Sequence, residues 1–210
     1  LVATARIARR HFHGDLADLA AEDKNAGAPT GASDAATGAH PGYYPVTEAD
    51  RAIEEILRAG ISAMLPGDAV VGEENGRSGP QDAARTWYLD PIDGTKAFLT
   101  GMTGWGTLVG VVEDGRAVAG WMDQPVLRET FSAIGGRAVV RRPASEDGPE
   151  AGAVEITDLH TSGCTELADA IMYTTHPSMF DRPDDDELRR RYDELGRRVR
   201  LQRFGGDCYA

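Results

Sequence analysis

The segment WYLDPIDGTKAFLTG, residues 87–101, constrains the fold more than any other part of the chain. An apolar run ends at Asp90, and Asp93, Gly94 and Thr95 precede a predicted helical turn. Exposed backbone N–H groups at the start of a helix favour an anion. Two carboxylates three residues apart therefore lie beside a place that is suited to negative charge, and this arrangement needs a source of positive charge.

The composition of the chain limits its possible partners and the source of that positive charge. The chain has 210 residues and is 41% hydrophobic, which is enough to bury the core of a globular domain. Its net charge of −12 argues against nucleic-acid binding, which requires a basic surface. No apolar segment approaches the roughly 18 residues of a membrane span, and the first residues lack the core of a signal peptide. We expect no membrane partner, a cytoplasmic location, and divalent cations at any phosphate site.

The first part of the chain is predicted to contain two helices separated by a loop. Residues 2–21 have helical spacing of apolar side chains. Residues 25–45 are rich in Ala, Gly, Ser and Thr, a composition typical of a flexible loop. A second helix is predicted over 47–60, with Thr47 as its cap and Gly60 as its stop.

A sheet is predicted after the second helix. The runs AVVGEE and TWYLD each end in acidic residues, as buried strands do when they deliver carboxylates to one edge of a sheet. Asp114-Gly115 is typical of a hairpin turn, and further strands continue as an antiparallel meander. Near the end of the sequence, two strands are predicted on either side of a helix at 184–197.

The acidic residues of these elements predict a site for hard cations. Asp50 lies in the first turn of the second helix, Glu73 follows a strand, and Asp90 and Asp93 flank a short turn. Mg²⁺ prefers oxygen ligands, including carboxylates and main-chain carbonyls such as that of Ile92. Taken alone, each motif is an ordinary helix cap or turn. Their occurrence together favours a site in which two cations lie between the carboxylates and a phosphate.

The motifs PVTEAD, VGEENG and WYLDPIDGTKAF resemble those of the Mg²⁺-dependent, lithium-sensitive inositol-monophosphatase superfamily, and the similarity covers nearly the whole chain. The resemblance implies an α/β (α+β) fold arranged as a layered α-β-α-β-α sandwich, and usually a homodimer. It implies one phosphatase domain over 1–210, with an N-terminal metal-binding half at 1–135 and the start of a C-terminal α/β half at 136–210. The implied reaction is hydrolysis of a small phosphorylated metabolite.

The resemblance also implies roles for particular residues and a cofactor of two or three Mg²⁺ ions. The implied metal ligands are Glu73, Asp90, the Ile92 carbonyl and Asp93. The implied catalytic residues, which orient or activate the attacking water, are Glu73, Asp50, Thr47 and Thr95. The implied phosphate-binding backbone is that of Asp93, Gly94 and Thr95.

The substrate is indicated by other segments. GWGTLVGVVEDGRAVAGWMDQPVLRETF, YTTHPSMF and RFGGDCYA look most like the histidinol-phosphate phosphatase branch of the superfamily. Asp207, predicted at a helix start after Gly205-Gly206, is suited to the amine of histidinol phosphate, or else it is a plain helix cap. An inositol-1-monophosphatase and a 3′(2′),5′-bisphosphate nucleotidase remain open, because the metal motifs are shared. A phosphatase of the haloacid-dehalogenase type is disfavoured, because its two acids lie two residues apart whereas Asp90 and Asp93 lie three apart.

The family pattern continues beyond Ala210, through a further aspartate that completes the second metal site. We therefore expect the sequence to lack the C-terminal part of the fold, and no residue here takes that role. A non-catalytic metal-binding remnant is the alternative of a different class. The segment after Lys24 is longer than the family pattern predicts, so the role of Lys24 is left open.

Overall fold

The computed structural model describes residues 2–12, 22–23, 45–144, 153–182 and 186–209. Its helices are α1 (Val2–His11), α2 (Glu48–Met64), α3 (Thr95–Leu99) and α4 (Glu187–Gly196). Its strands are β1 (Glu22–Asp23), β2 (Pro45–Val46), β3 (Ala69–Gly72), β4 (Gly76–Ser78), β5 (Arg85–Asp93), β6 (Gly106–Glu113), β7 (Arg116–Gln124), β8 (Glu129–Ile134), β9 (Arg137–Pro143), β10 (Val154–Leu159), β11 (Ile171–Thr174) and β12 (Leu201–Phe204). Among the described helices, none is long and apolar enough to cross a membrane.

The chain forms two compact units. The first comprises residues 1–21 and 47–160, and the second comprises 22–46 and 161–210. The predicted division after residue 135 differs from this grouping, because β9 and β10 continue the large sheet of the first unit as far as Leu159. Lys24 and nearly all of the predicted loop lie outside the described residues.

The first unit contains an eight-stranded sheet in the order β10-β9-β8-β7-β6-β5-β3-β4. Strands β3 and β5 are parallel, and the other neighbours pair antiparallel, which confirms the predicted meander. The turn between β6 and β7 has positive φ at both Asp114 (47°) and Gly115 (76°). Asp and Gly tolerate this conformation, so the predicted hairpin is confirmed with its physical cause.

Helix α2 begins as predicted and ends later than predicted. Thr47 and Asp50 form a reciprocal capping box at its start. The predicted stop at Gly60 is wrong, because the helix continues to Met64. Ile61 packs in a buried cluster with Val70 and Leu89 of the sheet, and this burial stabilises the extra turn. The predicted first helix is confirmed as far as His11, and its continuation lies outside the described residues.

The core around the end of β5 joins three helices to the sheet. Its buried members are Ala8, Ala49, Ile53, Ile92, Phe98 and Trp105. The rings of Phe98 and Trp105 meet edge to face at 4.9 Å, an arrangement that stabilises aromatic pairs. Ile92 is thus held among apolar side chains immediately between the two acids of the DPID segment.

In the second unit, β11 and β12 pair in parallel on either side of α4 in the sequence. The rings of Phe180 and Tyr192 stack with centroids 4.2 Å apart. This is the predicted strand-helix-strand segment. With the mixed sheet and helices of the first unit, it confirms the α/β fold class.

Candidate active site at the end of β5

A bulge in β5 turns two acidic side chains toward the same face of the sheet. Asp90 pairs with Leu108 of β6 and Asp93 pairs with Gly106, so three steps on β5 oppose two steps on its neighbour. In a regular strand, residues three apart point to opposite faces. The extra residue reverses this relation. The local geometry therefore brings together two carboxylates that regular strand geometry would separate.

Glu73 is placed beside Asp90 by the parallel pairing of β3 with β5. Gly72, the last residue of β3, is in register with Leu89, and the Glu73 N–H donates to the Leu89 carbonyl at 3.1 Å. One step further along both strands, Glu73 and Asp90 are neighbours. Glu73 and Asp93 thus each lie within electrostatic range of Asp90.

This crowding changes the ionisation of Asp90. Burial, and then the negative charges of Glu73 and Asp93, raise the pKa of Asp90 to about 8. A hydrogen bond with Glu73 and the charge of Asp50 act in the same direction. One oxygen, Oδ1 of Asp90, is buried without a hydrogen-bond partner in the part of the chain that the structure describes. A positive charge at this place would relieve both the repulsion and the unpaired oxygen.

Gly94 makes the sharp change of direction between β5 and α3. Its φ is +89°, and a Cβ built on it would lie 2.8 Å from the Gly104 carbonyl oxygen and 3.1 Å from the Trp105 Cβ. Only glycine tolerates both the left-handed backbone and the close contacts at this position without strain. The next residue, Thr95, donates its hydroxyl to the Ile92 carbonyl at 3.0 Å. The predicted carbonyl ligand and the predicted water-orienting hydroxyl are therefore in direct contact.

Thr47 and Asp50 are held rigidly at the start of α2. The Thr47 hydroxyl donates to Oδ2 of Asp50 at 2.6 Å, and the Thr47 N–H donates to the same oxygen at 2.8 Å. Asp50 is only 1% exposed, and its charge reaches Asp90. The helix-cap interpretation is thus confirmed, and the cap lies within electrostatic range of the acidic group.

A groove of about 390 Å³ adjoins the acidic group, and Glu73, Tyr88, Asp90 and Leu108 are among its lining residues. Within the described ranges, no three His, Cys, Asp or Glu side chains converge closely enough to hold a metal ion as they stand. The fit of a cation follows from the donor chemistry. Carboxylates and a carbonyl are the ligands that Mg²⁺ prefers, and the unpaired Asp90 Oδ1 lies among them.

Asp207 belongs to the second unit. It lies two residues after Gly205 (φ 75°), has a φ of 41° itself, and opens a short 3-10 turn, Asp207–Tyr209. A left-handed backbone at this aspartate marks an unusual local conformation. Its predicted contact with the substrate amine stays a prediction.

The fold and the site define an α/β protein with a group of acidic side chains at the end of β5. The chain belongs to the inositol monophosphatase family, whose model matches residues 3–209. It is 35% identical over 167 residues to the bifunctional phosphatase IMPL2 of Arabidopsis thaliana, covering 79% of this chain and 43% of that protein. It is 41% identical over 118 residues to a histidinol-phosphatase of Mycobacterium tuberculosis, covering 56% and 44% of the two chains.

A solved structure extends this similarity to three dimensions. An inositol monophosphatase from Zymomonas mobilis superposes with a TM-score of 0.65 at 31% identity, covering 98% of this chain and 65% of the other. The chain thus spans under half of the two curated relatives and about two thirds of this structural neighbour.

Proposed function

We propose that the chain is part of a Mg²⁺-dependent phosphatase that hydrolyses L-histidinol phosphate to L-histidinol and phosphate. The observation that carries the proposed metal-dependent hydrolysis is the group of acids at the end of β5. Asp90 and Asp93 share one face of the sheet, and Glu73 lies beside Asp90. A site of this kind is suited to cations that in turn bind a phosphate ester.

In this proposal Glu73, Asp90, Asp93 and the Ile92 carbonyl hold two or three Mg²⁺ ions. When bound there, Mg²⁺ would supply positive charge for the phosphate oxygens and would make a nearby water a better nucleophile. The protein's own groups act on the remaining parts of the reaction. Thr95, with Asp50 and Thr47, orients the attacking water, and Glu73 accepts its proton. The backbone N–H groups from Asp93 to Thr95 donate to the phosphate oxygens.

The proposed substrate is supported by the names of several relatives and by one prediction from the sequence. Several relatives are named histidinol-phosphatase, including the one from Mycobacterium tuberculosis. In addition, a carboxylate at Asp207 would pair with the amine that histidinol phosphate carries. Other relatives are named inositol-1-monophosphatase, which makes inositol 1-phosphate the second candidate substrate. We further propose a homodimer in the cytoplasm.

Parallel assays on the full-length protein test the proposal. Phosphate release is measured from histidinol phosphate, inositol 1-phosphate and adenosine 3′,5′-bisphosphate, with Mg²⁺ and after chelation. We expect histidinol phosphate to have the highest kcat/KM and chelation to abolish release. Activity on the other two substrates alone would refute the histidinol-phosphate assignment.

A pair of variants tests the site. Asp93→Asn removes one proposed ligand charge, and Asp82→Asn makes the same chemical change at an exposed residue between β4 and β5. We expect Asp93→Asn to lower kcat by about 100-fold or more, as for groups that stabilise charge in the transition state. Asp82→Asn should leave kcat unchanged. Phosphate release unaffected by Asp93→Asn would contradict the proposed role of Asp93, and no release by the wild type would favour a non-catalytic metal-binding protein.

A further inference from the structure

A second carboxylate on α2 is buried in contact with the turn that carries Glu73. Glu54 is 0% exposed. Its oxygens accept from the Glu74 N–H at 2.7 Å, the Asn75 N–H at 3.1 Å and the Asn75 side-chain amide at 3.0 Å. A buried carboxylate is costly unless several donors satisfy it, and these three donors belong to the two residues immediately after Glu73.

Arg58, one helical turn further on, completes this contact. Its guanidinium donates to Oε1 of Glu54 and to the Gly76 carbonyl, both at 2.8 Å. It also donates to the Ser78 hydroxyl and to the Val70 carbonyl. Burial by itself would raise the pKa of Glu54, but the bonds from Arg58 and from the turn lower it. Glu54 is therefore ionised at neutral pH, as these bonds require.

The sequence leaves room for the Glu54 carboxylate. A Cβ built on Gly72 would lie 2.2 Å from the Glu54 carboxylate carbon and 2.2 Å from Oε1. Any side chain at this position would displace the carboxylate from the turn. The residue directly before Glu73 thus contributes space, and the two residues directly after it contribute donors.

We propose that Glu54 is a positioning residue that holds the 73–75 turn so that Glu73 is aimed at the candidate cation site. This inference rests on the proposed metal-dependent function. Without Glu54, the backbone directly after Glu73 would lose its hydrogen bonds to α2, while the acids on β5 would stay in their strand. The expected defect is weaker cation binding in a chain that still folds.

Glu54→Gln in the full-length protein tests the proposal, with Glu55→Gln as its matched control. Glu55 is the adjacent, exposed glutamate of the same helix. Gln keeps the size of Glu54 but turns an N–H₂ group toward donors that need an acceptor. Binding of Mn²⁺ alone, without substrate, is measured by electron paramagnetic resonance of the free ion. We expect Glu54→Gln to weaken Mn²⁺ binding by about tenfold, as for groups that orient metal ligands, and Glu55→Gln to have no effect.

Kinetics separate positioning from general destabilisation. The Mg²⁺ concentration for half-maximal phosphate release should rise with the Mn²⁺ dissociation constant, while kcat at saturating Mg²⁺ is retained. If Glu54→Gln binds Mn²⁺ as tightly as the wild type, the inference is wrong while the proposed function stands. If the wild type neither binds Mn²⁺ nor releases phosphate, the proposed function itself is wrong.

A second variant covers the case in which Glu54→Gln does not fold. Asn75→Ala removes one exposed donor to the same carboxylate and leaves the buried charge in place. Because Glu54 keeps its other hydrogen bonds, the effect should be smaller than in Glu54→Gln, and we expect about threefold weaker Mn²⁺ binding. Unchanged binding in this variant would overturn the inference.

Discussion

Replacing Gly94 by alanine should destabilise the protein by an amount that the structure allows us to estimate. The residue has a φ of +89°, and its added Cβ would meet the Gly104 carbonyl oxygen at 2.8 Å and the Trp105 Cβ at 3.1 Å. The left-handed backbone costs alanine about 1 kcal/mol. The clash falls on backbone and on a fully buried tryptophan, so it adds about 1–3 kcal/mol. The free energy of unfolding should fall by about 2–4 kcal/mol in total.

Thermal and urea unfolding of the full-length protein measure this change. For a chain of this size, about 2–4 kcal/mol corresponds to a Tm lower by about 4–16 °C. Gly60→Ala is the matched control, because Gly60 lies within α2 and its added Cβ would meet nothing within 4 Å. In a helix interior, this exchange should raise stability by about 0.5–1 kcal/mol. A Tm of Gly94→Ala within one degree of wild type, or a loss of similar size in Gly60→Ala, would refute the reasoning.

Three further predictions concern other parts of the chain. Ile53→Ala should lower the free energy of unfolding by about 2–5 kcal/mol because Ile53 is fully buried, whereas Ile56→Ala, at a 43% exposed residue, should cost far less; equal losses in urea unfolding would contradict this. Burial raises the pKa of Asp123 above 3.8, so the contribution of Asp123 to the free energy of unfolding is most favourable below pH 3.8 and is lost as pH rises through the folded-state pKa. Over this range of pH, the stability of Asp123→Asn should increase relative to that of the wild type. Parallel curves of stability against pH for the two proteins would contradict this. Asp207→Asn should raise KM for histidinol phosphate more than KM for inositol 1-phosphate, and equal changes in steady-state assays would count against pairing with the amine.

Local signals in the sequence predicted those features whose physical cause is also local. The Asp114-Gly115 turn follows from the left-handed tolerance of two adjacent residues, and the start of α2 follows from the Thr47 cap. The end of α2 did not follow, since Gly60 is a local stop signal and the burial of Ile61 against the sheet overrides it. Tertiary packing commonly outweighs propensity in this way.

The geometry of the site required information that residue spacing alone does not contain. The motifs identified the acids, but only the pairing of β5 with β6 shows that a bulge places Asp90 and Asp93 on one face. Glu54 was missed for a similar reason. On a helix, a glutamate four residues after Asp50 is usually a solvated residue, and no sequence signal indicated that the turn after Glu73 would bury it. The one available clue was Gly72, whose missing side chain leaves space for this carboxylate.

Helix α2 contacts the candidate site through three residues on one of its faces. Residues at i, i+4 and i+8 share a face of a helix, and on α2 these positions are Asp50, Glu54 and Arg58. Asp50 accepts a hydrogen bond from Thr47 at the start of the helix. Glu54 accepts from the turn after Glu73, and Arg58 donates to the Gly76 carbonyl of β4. Because Asp50 and Glu54 lie on the same helix, a movement of the turn after Glu73 relative to Asp50 would break the buried hydrogen bonds of Glu54. The acidic site is therefore held from its α2 side by a single element, and the packing of that helix on the sheet controls the site's geometry as well as the stability of the fold.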